Sequence, residues 1–362
     1  MKRLIAGTAA ALLAAVLILP VKTDALSAQK AILLDAATGR ILYENHADEQ
    51  SLIASTTKIM TALVVCEQCN VLDRMRIPKE AVGIEGSSMY LQENEVLTIQ
   101  ELLYGLMLHS GNDAAVALAI YCGGTVEGFA ELMNDKARQL GMKDSHFQNP
   151  NGLDAPGHYS SARDLAVLAS YAMENTIFYQ TVSTKNVTVG QRYLRNHNKM
   201  LWLYEGADGV KTGYTRAAGR ILVSSARRSG RRLICVTMNA PDDWNDHTFL
   251  LNQGFSNYEH RRIVNSGDVV GFQEVAGGVS GNVQLLAAED FDYALSENEK
   301  ITLLVPGSGF VYAPVAQGAD AGFVHVCIDG ERIGSVPVIY GETIEQIPIE
   351  RKNLWERLIG GE

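Results

Sequence analysis

The apolar and polar positions divide this chain into four stretches of different character. A largely apolar run at residues 4–19 follows Lys2 and Arg3 and is broken by Pro20. Small residues follow at Thr23, Ala25 and Ala28. That order predicts a secretory signal peptide over residues 1–28, cut after Ala25 or Ala28. The run falls short of the roughly 20 apolar residues a spanning helix needs. Beyond it, residues 31–34 and 40–43 alternate as a strand hairpin around a turn at 35–39. Apolar residues then recur at helical spacing over 55–65, 98–108, 114–120, 126–140 and 161–174. Ser161 opens the last of these with Asp164 in its first turn, as a helix N-terminus prefers.

After residue 180 the period changes. Segments 187–189, 210–213, 221–225 and 233–238 read as strands, and 243–255 as a closing helix. Residues 29–262 therefore form an α/β (α+β) domain, a helical block flanked by strands from both ends. From 263 the helical period is lost. Short β-rich runs at 269–274, 283–286, 301–305, 324–328 and 335–339 predict a small all-β, sandwich-like domain over 263–350. A tail at 351–362 closes the chain. Leu354, Trp355, Leu358 and Ile359 share a helical face there, beside Arg351, Lys352 and Arg357, a pattern suited to weak membrane-surface contact.

The length of 362 residues with 47% apolar composition supplies a sizeable core and fits two domains. Net charge is −10, and a cut after Ala25 takes Lys2, Arg3, Lys22 and Asp24 with it, leaving −12. Such a chain is repelled by phosphates, so nucleic acid is excluded as a partner. The five cysteines, at 66, 69, 122, 235 and 327, are odd in number. At least one is therefore a free thiol or pairs outside the chain. Cys66 and Cys69 form a lone CxxC with no second pair to complete a zinc set, so they read as small buried side chains at a helix end. One HxxE, His46 to Glu49, lies in a polar loop, and no HxxxH, GxGxxG or P-loop occurs. No metal and no cofactor is implied.

Three short motifs carry the chemistry: Ser55-Thr56-Thr57-Lys58, Ser110-Gly111-Asn112 and Lys211-Thr212-Gly213. SxxK alone is weak, since Ser27-Ala28-Gln29-Lys30 also fits it. Ser55, however, opens an apolar helix, so Lys58 lies one turn away on the same face. A serine hydroxyl needs a base, and lysine serves only when neutral. Burial and a second cation such as Lys211 both lower a lysine pKa from about 10.4. SGN and KTG are rarer, each with a chance rate of order 0.1 in such a length.

In this order the three motifs resemble the signature of penicillin-binding proteins and serine β-lactamases. The chain is most similar to the low-molecular-mass D-alanyl-D-alanine carboxypeptidases, peptidase family S11. Residues 54–62 (ASTTKIMTA), 86–89 (GSSM), 149–154 (NPNGLD) and 208–215 (DGVKTGYT) carry the likeness, and the trailing β domain fits it. The resemblance implies a transpeptidase/β-lactamase-like catalytic domain and removal of the terminal D-alanine from peptidoglycan pentapeptide outside the cytoplasm. It also implies β-lactam binding. By matching motif, Ser55 is the nucleophile, Lys58 its base, Ser110 a proton relay and Asn112 an orienting group. Lys211 and Thr212 would hold the substrate carboxylate, and Gly213 would let the substrate lie along the strand. The oxyanion hole would use backbone N–H groups of Ser55 and of a residue near Tyr214.

Two positions depart from relatives: Tyr214 stands where some carry His after KTG, and His197 where some carry Arg. A D,D-endopeptidase would share every motif. A class A β-lactamase is disfavoured, because Gly111 replaces the Asp of its second motif and Glu131-Leu132-Met133-Asn134 is one residue short of its ExxLN loop.

Overall fold

The computed structural model describes residues 26–305 and 309–348. The signal segment up to Ala25 and the tail from 349 lie outside the described residues.

The first domain opens with β1 (Lys30–Asp35) and β2 (Ile41–Asn45), then a 3-10 turn (Ala54–Thr57) leading into α1 (Lys58–Gln68). A small hairpin, β3 (Arg74–Arg76) and β4 (Val96–Thr98), precedes α2 (Ile99–Leu108), α3 (Asn112–Gly123) and α4 (Val126–Gln139). Next come α5 (Ala162–Ala172), α6 (Thr176–Ser183), the hairpin β5 (Asn186–Val189) and β6 (Arg192–Arg195), and a single turn, α7 (Met200–Leu203). Three long strands, β7 (Ala207–Thr215), β8 (Gly219–Arg228) and β9 (Arg231–Met238), lead to α8 (Asp243–Asn257). The second domain is β10 (Glu259–Val264), β11 (Val269–Ala276), β12 (Asn282–Ala287), β13 (Phe291–Leu295), β14 (Ile301–Leu304), β15 (Phe310–Tyr312), β16 (Asp320–Ile328) and β17 (Glu331–Tyr340).

The expected mixed domain followed by an all-β domain is thus present. The central sheet has the order β2-β1-β9-β8-β7, antiparallel throughout. Its opening hairpin pairs with a late strand, which closes the domain across its whole length. Buried on both faces, β9 is nearly continuous in apolar residues. One face packs on α8 through Leu33, Leu233, Leu250 and Leu251. The other packs on the helical block, where α1 is buried along most of its length. The lone edge on the far side is β7, the strand that carries Lys211-Thr212-Gly213.

Several boundaries differ from the sequence expectations. Ser55 lies in the 3-10 turn, not in the α-helix that was expected to begin with it, and α1 runs on to Gln68. The helix expected at 114–120 starts at Asn112, because Gly111 takes the N-cap and Asp113 fills the first turn. The short elements α6, β6 and α7 were not anticipated. Strand β10 begins ahead of the expected boundary after 262 and pairs with β13, a strand of the second domain.

In the second domain a six-stranded sheet has the order β14-β16-β17-β12-β11-β15, over a core of Val264, Val324, Val326, Val336 and Val338. Two polar clusters join the domains. Asp35 accepts from Arg231 Nε at 2.7 Å and from His260 Nε2 at 3.0 Å. Arg40 reaches across to Glu299 and the Ala294 carbonyl, flanked by the rings of Tyr258 and Tyr293.

Candidate active site

All three motifs meet where the 3-10 turn, the start of α3 and the edge strand β7 converge. Because a 3-10 turn runs straight into α1, Ser55 and Lys58 keep their one-turn relation. Lys58 Nζ donates to Ser55 Oγ at 3.1 Å and to Asn112 Oδ1 at 2.7 Å. A third acceptor is the main-chain carbonyl of Asn151. Every one of these partners is neutral, and Lys58 is fully buried. Burial drives its pKa well below the ordinary lysine value, and the charge of Lys211 pushes the same way against a weaker opposing pull from Asp113.

Lys211 is 1% exposed and donates to Ser110 Oγ at 3.1 Å and to the Thr212 carbonyl at 2.8 Å. Burial lowers its pKa to about 7. Ser110 adopts φ +59°, a left-handed turn that precedes the helix cap at Gly111. Asn112 is oriented at both ends of its amide, with Nδ2 donating to the Glu85 carbonyl and Oδ1 accepting from Lys58. Above the cluster opens a cleft of about 340 Å³ lined by Ser55, Ser87, Ser110, Thr212, Gly213 and Tyr214, with His197, Arg220 and Trp244 at its sides.

The structure brings all seven expected residues together. A Cβ on Gly213 would stand 3.2 Å from Ile53 O, Thr56 N and Thr56 Cγ2, so the missing side chain also lets β7 press against the Ser55 turn while Gly213 lines the cleft. His197 lines the cleft, and its ring lies 5.0 Å from that of His109. Burial, with Lys211 and His109 adding, lowers its pKa to about 4, so at neutral pH it presents an uncharged imidazole where some relatives carry Arg.

Sequence reasoning gave no role to three contributors. The carbonyl of Asn151 holds Lys58, and Thr61 Oγ1 donates to the neighbouring Pro150 carbonyl at 2.6 Å. Asp113 accepts from Ser88 Oγ at 2.6 Å and from the N–H groups of Met89 and Leu91 at 3.0 Å, which pins the loop carrying Ser87. Arg220, whose Nη2 donates to both carboxylate oxygens of Asp243 at 2.7 and 2.8 Å, walls the cleft beside Trp244. The string at 149–154 was a visible signal for the first; nothing in composition marks the other two.

Comparison with known proteins identifies the family of the chain. Residues 19–242 match the family model for D-alanyl-D-alanine carboxypeptidase, peptidase S11. Residues 258–346 match that for the penicillin-binding protein 5 C-terminal domain. D-alanyl-D-alanine carboxypeptidase DacF of Bacillus subtilis is 33% identical over 340 residues, covering 88% of this chain and 86% of the relative. DacC of Escherichia coli is 33% identical over 348 residues, covering 90% and 86%. Penicillin binding protein 5 from Haemophilus influenzae superposes with a TM-score of 0.77 at 32% identity, covering 89% of this chain and 98% of that one. Fold and comparisons together define a penicillin-binding protein of the two-domain type. The chain belongs to the peptidase S11 family, and it is a serine-type D-alanyl-D-alanine carboxypeptidase.

Proposed function

We propose that Ser55 is the acylated nucleophile of this carboxypeptidase, that Lys58 is its base, and that the substrate is the D-alanyl-D-alanine end of a peptidoglycan stem pentapeptide. The observation that carries the reading is a fully buried Lys58 whose Nζ lies 3.1 Å from Ser55 Oγ with only neutral partners. Burial disfavours the charged form of a lysine so placed, and in the neutral form its two N–H groups serve Asn112 Oδ1 and the Asn151 carbonyl while its lone pair faces the Ser55 hydroxyl and can take its proton. Ser55 Oγ attacks the carbonyl carbon of the penultimate D-alanine, and its proton passes to Lys58 Nζ. The negative oxygen is held by the backbone N–H of Ser55 and of a residue near Tyr214, donors that typically supply about 3–4 kcal/mol each. As the C–N bond breaks, Ser110 hands its proton to the leaving amine and takes in return the proton held by Lys58, which leaves Lys58 neutral and Ser110 a hydroxyl again. Water then attacks the acyl-enzyme, its proton passes to Lys58, and Lys58 returns that proton to Ser55 Oγ as the acyl bond breaks. Asn112 keeps Lys58 aimed throughout.

Charged Lys211 and the Thr212 hydroxyl bind the terminal carboxylate, while neutral His197 adds no second cation. Export through the signal segment brings the enzyme to this substrate. A cut after Ala25 suits the domain, because Ser27 donates to the Asp246 carboxylate at 2.9 and 2.7 Å and Ala28 is buried.

The test is the intact mass of the purified mature protein followed over hours with benzylpenicillin, beside Ser55→Ala. A single, slowly decaying penicilloyl adduct on the wild type alone is the expected result. No adduct with the penicillin left intact would sink acylation at Ser55, and penicillin consumed without a lasting adduct would point to a β-lactamase.

A further inference from the structure

Between α4 and α5 the chain makes a loop from His146 to Tyr159, and these two residues pair at its neck, each N–H donating to the other's carbonyl at 2.9 and 3.0 Å. The tip of the loop is closed from within. Asn149 Nδ2 donates to the Leu153 carbonyl at 2.9 Å, and its Oδ1 accepts from Gly152 N at 2.7 Å. From this closed tip the Asn151 carbonyl reaches Lys58.

His158 makes a second contact between the loop and the Ser55 turn. Its ring is 2% exposed and stands edge-on to Phe147, with centroids 5.9 Å apart. Nδ1 accepts from Gln148 N at 3.0 Å, and Nε2 lies 2.7 Å from Thr57 Oγ1. A main-chain N–H can only donate, so Nδ1 is the bare nitrogen and Nε2 carries the proton that points at Thr57. Burial first lowers the pKa of the ring to about 4, which keeps this neutral form at neutral pH.

These contacts form a closed circuit. Thr57 adjoins Lys58, and Lys58 holds the Asn151 carbonyl. Asn151 follows closely on Gln148, and Gln148 returns to Thr57 through the imidazole. The turn inside the circuit needs holding. Ala54, immediately before Ser55, has φ +45°, a left-handed conformation that a residue with a Cβ keeps only where its surroundings enforce it.

We propose that His158 is a positioning residue for acylation: by tying Thr57 to Gln148 it fixes the Ser55–Lys58 turn against the carbonyl that aims Lys58. The inference rests on the reading of Ser55 as nucleophile and Lys58 as base. The ring lies behind Thr57 and outside the lining of the cleft, so it acts through the turn and not on the substrate. Without it two buried groups lose their partners together, the Thr57 hydroxyl its donor and the Gln148 N–H its acceptor. The consequence is slower proton transfer from Ser55 Oγ at unchanged binding.

The experiment follows benzylpenicillin acylation of the purified mature protein by rapid quench and intact mass over a range of penicillin concentrations. This separates the saturating rate from the half-saturation concentration. His158→Leu fills the space without polar atoms, Thr57→Val removes only the accepting hydroxyl, and His158→Gln can still accept and donate. We expect the saturating rate to fall about tenfold in His158→Leu and in Thr57→Val, with half-saturation unmoved. The double variant should be no slower than His158→Leu, because the two changes break a shared bond. His158→Gln should recover most of the rate. Loss of folded protein alone lowers the final amount of adduct and leaves this rate constant as it was. Should His158→Leu not fold, Thr57→Val beside His158→Gln carries the same test. A wild-type rate in Thr57→Val or in folded His158→Leu, a Gln variant as slow as the Leu or Val variant, falls that multiply in the double variant, or a change confined to half-saturation would each overturn the positioning role. No adduct on the wild type would defeat the Ser55 reading and this one with it, whereas wild-type rates in the variants would defeat this one alone.

Discussion

In the mechanism proposed above two buried lysines have opposite tasks, Lys58 as the neutral base and Lys211 as the charged carboxylate binder, so protonation would limit them from opposite sides. Lys58 works when neutral, and burial first, with Lys211 adding, places its pKa well below the lysine norm. Activity therefore rises with pH through the lowered Lys58 value and is fully developed on its alkaline side. Lys211 works when charged, and burial sets its pKa at about 7. As pH climbs past 7 the free enzyme loses the cation that greets the substrate carboxylate. We expect kcat/KM for a D-alanyl-D-alanine peptide to fall above pH 7, by about tenfold per unit once the limb is linear. The limb in kcat should lie further alkaline, since a bound carboxylate favours charged Lys211. Lys211→Arg keeps its charge at every working pH. Its kcat/KM profile should lose the alkaline limb even if its level drops. An unchanged limb in Lys211→Arg would assign the titration to another group.

At the scale of elements, the site depends on how closely the loop at 149–154 grips the Ser55 turn. Gly152 holds φ +85°, and a Cβ there would stand 1.9 Å from Ala54 O and 2.8 Å from Thr57 Oγ1. Neither the main chain of the turn nor the strained φ can yield cheaply. We expect Gly152→Ala to cost about 3 kcal/mol in urea unfolding. The penicillin acylation rate should fall in the protein that stays folded, because Asn151 O moves off Lys58. A fully folded, fully active variant would show that the loop is not a clamp. This loop also marks where sequence reading stopped. The SxxK spacing was legible, because three residues make one turn in a 3-10 turn and in an α-helix alike, so the wrong helix start did no harm. The string at 149–154 marked the segment by its resemblance, but the Asn151 contact itself was not legible, because it uses a main-chain carbonyl that any residue would supply. Strand β10 was missed because Glu259 to Arg262 puts four charged or titratable residues in a row where alternation was sought. The short α6 and α7 lack the length over which a helical period shows.

The whole molecule is two domains, and the charge that joins them sits at the end of its first strand. Asp35 is fully buried on β1 and accepts from Arg231 on β9 and His260 on β10. Burial alone would raise its pKa, but the bonds and charges of Arg231 and His260 outweigh that and leave it below the usual carboxylate value. A carboxylate lowered in the fold adds stability above its unfolded pKa of about 3.9, and that share is lost as pH falls through the lower folded value. Asp35→Asn removes the charge at every pH and strands a guanidinium that is only 8% exposed. We expect it to cost about 3–5 kcal/mol at pH 7, read from urea midpoints. The gap to the wild type should begin to narrow as pH drops below about 4 and close only below the lowered folded value, where the wild-type carboxylate is neutral too. A gap that persists at low pH would trace the loss to packing or to hydrogen bonds the amide cannot copy. Benzylpenicillin acylation should hold steady in folded Asp35→Asn, because Ser55 and Lys58 are braced by β7, α3 and the loop at 149–154, none of which Asp35 touches. If acylation fell in step with stability, the domain junction would be part of the catalytic scaffold and not only the joint that carries the second domain.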